Sequence, residues 1–235
     1  MTPTPAAHCA VLVPVSDRLE PECEEALATL SKRGYEVRRM LGHSAIDMAR
    51  CLMAQTALDD GFEELMWIDG DVGFEPDAVD LLRAHGRPIA CGIYPKKGQR
   101  SLACHVEPGT REIVFGEKGG LVPLRYAATG FLHTRRAVYE RIAAALALPR
   151  CNARFGKAFY PWFQPLVIPD EGGHWYLGED YAFCERARQA GFSIVADTTI
   201  RLRHVGRYAY TWEDAGGDPP RYASYRLVLD EEASR

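Results

Sequence analysis

Over roughly the first 90 residues, short apolar runs alternate with stretches of helical period. Cys9-Ala-Val-Leu-Val-Pro-Val15 is apolar and β-branched and ends at Ser16-Asp17, which predicts a buried first strand followed by a loop. Pro21 falls in the first turn of an Ala-, Leu- and Glu-rich helix that stops at Gly34, and Tyr35 to Leu41 suits a second strand. Ser44 is expected to cap the next helix, with Asp47 three residues on. Ile46, Ala49, Leu52/Met53 and Thr56/Ala57 recur at helical spacing as its buried stripe. Leu65-Met-Trp-Ile68 is a strand that runs straight into Asp69-Gly70-Asp71.

Strands alternating with helices imply a mainly parallel sheet covered on both faces, so the fold class is α/β. After Gly86 the pattern changes. Ile89 to Ile93, Leu102 to Val106, Glu112 to Phe115 and Val122 to Ala127 are short strand candidates separated by Gly, Pro and Lys, which predicts a smaller antiparallel section. Val138, Ile142 and Ala145/Leu146 mark an amphipathic helix, Tyr181 to Ala190 another closed by Gly191, and Phe192 to Ala196 a further strand. Arg150 to Gly173 has aromatics and prolines without a period and reads as an ordered loop at a site. Nothing repeats, and Asp214 to Pro220 and the last few residues are expected to be low in order.

A length of 235 residues favours one domain over two full ones. Hydrophobic residues at 47% and charged residues at 26% exclude a disordered, collagen-like or coiled-coil chain. Lys plus Arg (28) against Asp plus Glu (32) gives −4, which argues against nucleic acid as a partner. The apolar runs are far shorter than the ~20 residues of a membrane-spanning helix. Met1 to Ala7 lacks the basic start and apolar middle of a signal peptide. The expectation is a cytoplasmic protein without an integral membrane segment. Seven scattered cysteines with no C-x-x-C pair read as reduced core thiols.

Three segments carry candidate chemistry. Asp69-Gly70-Asp71 closes an apolar strand, and ligands of open α/β sheets bind outside the carboxyl ends of strands. Two carboxylates one residue apart offer hard oxygens to Mg²⁺ or Mn²⁺, although Asp-Gly is also an ordinary turn pair, so both readings stand. Glu179-Asp180 opens a helix, where negative charge is favoured by the helix dipole with or without chemistry. Arg201-Leu-Arg203-His204 is a basic cluster after a strand, suited to an anion or to ordinary surface pairing.

The order of these segments, anchored by Trp-Ile-Asp69-Gly-Asp71, Ala128-Thr-Gly130-Phe131, Gly178-Glu179-Asp180-Tyr-Ala-Phe-Cys and Arg203-His204-Val-Gly, resembles the nucleotide-sugar-dependent glycosyltransferases of GT-A fold, family-2-like, over roughly residues 9 to 210. The resemblance implies one GT-A domain, with a nucleotide-binding half over about 8–90, an acceptor-facing half over about 91–212 and a tail from 213 to 235. It implies a Mn²⁺ or Mg²⁺ ion held by Asp69, Asp71 and His204. It implies a nucleoside diphosphate sugar donor, UDP favoured, lined by Pro14, Val15, the Ser44 to Arg50 segment, Gly70 and Gly130, with Arg50, Arg201 and Arg203 as phosphate partners. The acceptor would be a hydroxyl on a glycan, small molecule or peptide. Asp180 would be the base of an inverting transfer, ionised without special tuning, with Glu179 its nearest competitor. The segments Arg150 to Gly173 and Tyr208 to Trp212 would border the acceptor and close over the donor.

Other classes share parts of this pattern. A haloacid-dehalogenase-like phosphatase carries its Asp-x-Asp on the first strand, whereas two strand candidates precede this one. A retaining GT-A enzyme keeps the same acids. A non-catalytic sugar-nucleotide or carbohydrate-binding module would use Trp162, Phe163, Trp175, Tyr176, Tyr208 and Trp212 to stack on sugars, and core packing is the competing use for about half of them.

Overall fold

The computed structural model describes residues 6–15, 18–206, 208–216 and 224–229. The expected Ser16-Asp17 loop, residues 217–220 and the chain end beyond 229 lie outside them.

The amino-terminal alternation folds as the sequence suggests: β1 (Cys9–Val15), α1 (Pro21–Lys32), β2 (Glu36–Leu41), α2 (Ile46–Asp59) and β3 (Glu64–Ile68). There follow β4 (Val72–Gly73), α3 (Asp77–Ala84), β5 (Ile89–Cys91), β6 (Cys104–Val106), β7 (Glu112–Gly116), β8 (Leu121–Ala127), β9 (Phe131–Arg135) and α4 (Arg136–Ala145). The last elements are β10 (Leu166–Asp170), β11 (Gly173–Leu177), α5 (Glu179–Gln189), β12 (Ile194–Asp197), β13 (Arg203–Val205), β14 (Ala209–Tyr210) and β15 (Ser224–Val228).

Eight strands form one mixed sheet in the order β2-β1-β3-β9-β5-β12-β8-β6. The ladders β1–β2, β1–β3 and β5–β12 are parallel, and β9 and β8 run against the other six strands. Both faces are covered. Ala10, Leu12, Leu65 and Trp67 join the side chains of α2, α4 and α5 on one face, and Val11, Val13, Met66 and Ile68 join those of α1 and α3 on the other. This is the period-two alternation of a strand buried on both sides. From β1 the chain steps to β2 on one side and then to β3 on the other, so a crevice opens at the carboxyl ends of β1 and β3.

Several details differ from expectation. Ser44 does not cap α2, because the helix starts at Ile46 with Ala45 at the N-cap and no side-chain cap bond. Phe131 begins a full central strand, β9, before the helix. Its buried His133 and Thr134 hide it from a hydropathy reading; His133 Nε2 meets Glu64 at 3.2 Å and the Thr134 hydroxyl donates to the Leu65 carbonyl at 3.2 Å. The end of the aromatic Arg150 to Gly173 stretch pairs as the antiparallel hairpin β10–β11. Asp214 is ordered, closing a capping box with Thr211 on a short 3₁₀ helix, and β15 of the tail pairs with β7. All seven cysteines are free thiols and five are buried.

Candidate functional site

At the crevice between β1 and β3 lies a cleft of about 300 Å³ lined by Pro14, Val15, Arg18, Met40, His43, Ser44, Ile46, Ala49, Arg50, Asp69, Gly70, Asp71 and Glu179. Eight of the residues singled out in the sequence meet there: Pro14, Val15, Ser44, Arg50, Asp69, Gly70, Asp71 and Glu179. They come from the end of β1, the turn into α2 and the first turns of that helix, the turn after β3 and the start of α5.

Arg50 is the buried centre of the cleft, 2% exposed, with its guanidinium 5.6 Å from the Trp67 ring centroid. Its Nη2 donates to Asp69 Oδ1 at 2.8 Å, and its Nε lies 3.5 Å from Glu179 Oε1. Burial alone would lower the pKa of Arg50, but Asp69 and Glu179 more than reverse this and raise it, so the charge is retained. Nε and Nη1 are themselves buried and have no hydrogen-bond partner among the described residues, so the charge of Arg50 is balanced chiefly by Asp69 and Glu179.

Asp69 is fixed from behind by Gly130, whose carbonyl accepts the Asp69 N–H at 3.0 Å and whose own N–H donates to the Tyr94 hydroxyl at 3.0 Å. A Cβ on Gly130 would strike that hydroxyl and come within 2.7 Å of Asp69 Oδ2. Gly130 thus backs the site and does not line it. Gly70 is buried beneath the turn, and a Cβ there would meet Leu19 at 2.9 Å.

Asp71 faces His204. β13 pairs with β4 so that His204 lies opposite Val72, and the Val205 N–H donates to the Asp71 carbonyl at 2.7 Å. His204 Nδ1 lies 2.8 Å from the Pro95 carbonyl, which can only accept, so Nδ1 carries the proton. Its Nε2 lies 3.6 Å from Asp71 Oδ2. Lys97 donates to the same oxygen at 2.6 Å. Burial would raise the Asp71 carboxyl, but His204 and Lys97 bring it down to about 2.

These donors fit a divalent cation in chemistry: a carboxylate and an imidazole nitrogen whose other nitrogen is anchored to a carbonyl. Asp69, turned to Arg50, stands apart from them, and among the described residues no three His, Cys, Asp or Glu side chains converge as a ready-made ion site. Mg²⁺-type sites commonly use one or two carboxylates and complete the shell with water and substrate phosphate.

Glu179 and Asp180 open α5 and diverge. Glu179 lines the cleft beside Arg50, while Asp180 does not line it and has no cationic partner within bonding distance among the described residues. Burial and then the Glu179 charge raise the Asp180 carboxyl from 3.8 to about 6, a correction to the expectation of an untuned aspartate. Asp180 is followed by Tyr181, which with Trp175 and His105 forms a cluster of edge-on rings at centroid spacings of 4.9 and 5.1 Å from His105.

Arg201 and Arg203 are not brought to the cleft, which corrects their assignment as phosphate partners. Arg201 pairs with buried Glu213 and stacks over Trp212 at 4.7 Å, and Arg203 pairs with Glu22 (2.5 Å) and Glu75 (3.5 Å) on the α1 side. Of the aromatics, Trp162, Phe163 and Trp212 are core residues, whereas Tyr176 and Tyr208 are exposed. The sequence does not mark Lys97 and Tyr94, which follow β5 with no motif around them, nor Arg18 and His43, which reach the cleft from connecting turns, nor Met40 near the end of β2.

No protein-family model matches the chain, and no curated protein matches it in sequence. Among solved structures it is similar to the crystal structure of A197 from STIV, with a TM-score of 0.58 and 14% identity over 97% of this chain and 96% of that one. It also aligns with the inositol-1-phosphate CTP transferase from T. maritima (TM-score 0.42, 10% identity, 83% and 88% covered). A third match is a glycosyltransferase involved in the glycosylation of the major capsid of PBCV-1 (TM-score 0.29, 14% identity, 59% and 65% covered). The likeness to A197 concerns the fold alone, and the two looser matches carry no weight for chemistry. The chain is an α/β protein with a GT-A-like mixed sheet and a polar cleft at its switch point. No helix among the described residues is long and apolar enough to cross a membrane.

Proposed function

We propose that the chain is a metal-dependent glycosyltransferase that moves a sugar from a nucleoside diphosphate sugar, UDP favoured, to a hydroxyl acceptor with inversion at the anomeric carbon. The observation that carries this reading is the buried guanidinium of Arg50, held by Asp69 and Glu179, at the switch-point cleft that Asp71 also lines.

Pro14, Val15 and Ser44 form the walls against which the nucleoside lies, and Arg50, which lines the same cleft, supplies the positive charge for the donor's phosphates. Asp71 and His204, with Asp69 near by, hold the Mn²⁺ or Mg²⁺ ion, which when bound offsets the charge gathering on the departing diphosphate. Asp180 takes the acceptor's hydroxyl proton as the glycosidic bond forms. Its carboxyl, raised to about 6, is ionised at neutral pH yet more basic than a solvated aspartate. Glu179 keeps Arg50 charged and in place. The Trp175, Tyr181 and His105 rings stand on the acceptor side, and the donor occupies the part of the chain before about residue 90.

A thermal-shift panel of UDP, GDP and dTDP with Mn²⁺ tests the reading, because a ligand of the folded state raises apparent stability. At least one nucleotide is expected to stabilise the protein, and to do so less without the metal. No shift with any of them removes the donor site.

A further inference from the structure

We infer that Lys97 is a built-in counter-ion of Asp71, which a divalent cation displaces and which then serves the donor's diphosphate. This rests on the donor site proposed above and adds to it a residue that no motif marks.

Lys97 Nζ donates to Asp71 Oδ2 at 2.6 Å, and His204 Nε2 lies 3.6 Å from the same oxygen. A metal ion shared by Asp71 and His204 would therefore lie against the ammonium, and two cations on one carboxylate oxygen repel. The ion pair can open, because both side chains are about one-third exposed, at 34% and 38%. Opening needs only rotation of a flexible four-carbon stem that ends in a point charge, well suited to following a phosphate.

The surrounding backbone is arranged for this residue. Lys97 sits in a hairpin closed by the Pro95–Leu102 bridge and by the Lys96 N–H to Ser101 carbonyl bond of 2.9 Å, turning at Gly98 with φ +67°. The same hairpin supplies the Pro95 carbonyl that orients His204, so one loop sets both the imidazole and the ammonium at Asp71. The lysine stem runs past Gly206, just after β13, close enough that a Cβ there would be in ordinary van der Waals contact with Lys97 Cδ at 3.4 Å. In the absence of metal the lysine neutralises the Asp71 carboxylate, two residues from Asp69. With metal present, the freed ammonium turns to the phosphates of a donor bound in the cleft that Asp71 lines.

Calorimetric titration tests this with Mn²⁺ alone, and then with UDP, GDP and dTDP at saturating Mn²⁺, on the wild type, Lys97→Met, Lys97→Arg and Asp71→Asn, each checked for folding by circular dichroism. Lys97→Met is expected to bind Mn²⁺ about two- to fivefold more tightly, the worth of a part-exposed ion pair. It is also expected to bind the preferred nucleotide about tenfold more weakly once metal is saturating, with Lys97→Arg recovering part of that loss. Asp71→Asn should lose Mn²⁺ binding. If the wild type binds Mn²⁺ and a nucleotide but Lys97→Met matches it in both, the counter-ion role is overturned while the donor site stands. If neither protein binds Mn²⁺ or any nucleotide, both fall together.

Discussion

Arg50 Nη2 and Asp69 Oδ1 meet at 2.8 Å, joining the first turns of α2 to the end of β3 through a guanidinium that is 2% exposed. The bond makes the first acid of the Asp-x-Asp pair a partner of a buried cation and leaves the second, Asp71, to face His204 and Lys97. The two carboxylates, one residue apart in sequence, therefore have different tasks.

Replacing Arg50 by Met should leave Asp69 and Glu179 facing each other without the cation between them. Asp69 keeps some contact with solvent, which reduces the penalty, so a stability loss of about 1–3 kcal/mol is expected in urea unfolding. Nucleotide affinity should fall by tenfold or more. Lys at this position should restore the charge without the second donor and recover only part of the affinity. Unchanged nucleotide binding in Arg50→Met would remove Arg50 from the donor site.

Asp180 titrates at about 6 because burial and Glu179 disfavour its charge. As the acceptor's base it must be ionised, so kcat/KM should rise with pH up to about 6 and level off above it. For stability the sign is opposite to that of a salt-bridged aspartate. Between about 3.8 and 6 the folded state holds the proton that the unfolded chain has lost, so stability falls as pH rises through that window. Asp180→Asn should then be more stable than the wild type at pH 7.5, by an amount on the order of 2 kcal/mol, with the gain vanishing near pH 3.5. The same variant should bind nucleotide normally and turn over at least a hundredfold more slowly, whereas a pure binding module would show no turnover to lose.

Inversion is expected in the product, because the base acts on the face of the sugar opposite the leaving diphosphate. NMR of the anomeric centre checks it, and a product with the donor's own configuration would reassign Asp180 to holding the acceptor in place.

Gly130→Ala places a methyl group against the Tyr94 hydroxyl and Asp69 Oδ2. The methyl must push Asp69 off Arg50 or displace buried Tyr94, and overpacking of this kind costs about 1–3 kcal/mol. A lower melting temperature together with weaker nucleotide binding is expected, and a neutral variant would show that Gly130 does not set the position of Asp69.

Arg203→Gln should leave nucleotide affinity unchanged, since its partners Glu22 and Glu75 lie outside the cleft. Arg201→Gln should instead lower the melting temperature, because it removes the Arg201 charge from buried Glu213, without altering nucleotide affinity in the folded protein. A loss of nucleotide binding in either folded variant would return that arginine to the phosphate site.

The sequence by itself determined the α/β class, the amino-terminal β-α alternation, and the segments that supply the cleft walls and the acids. Those signals are local: a period of two or 3.6 in hydropathy, a Pro at a helix start, an acid pair at a strand end. Hydropathy did not reveal β9, which only the family resemblance of the Ala128 to Phe131 stretch suggested, because its buried His133 and Thr134 break the apolar pattern and their partners, Glu64 and the Leu65 carbonyl, sit on β3. Nor could the sequence separate Arg50 from Arg201 and Arg203. All three are arginines near acids in the chain, and only long-range packing put the first beneath Trp67 and Asp69 and the others against Glu213 and Glu22. The resemblance named His204 as the partner of Asp71, and the pairing of β13 with β4 decided how closely they meet. Tertiary structure alone raised the pKa of Asp180 and seated Lys97 on Asp71, since burial and charge at a distance depend on which segments meet in space and leave no spacing to read along the chain.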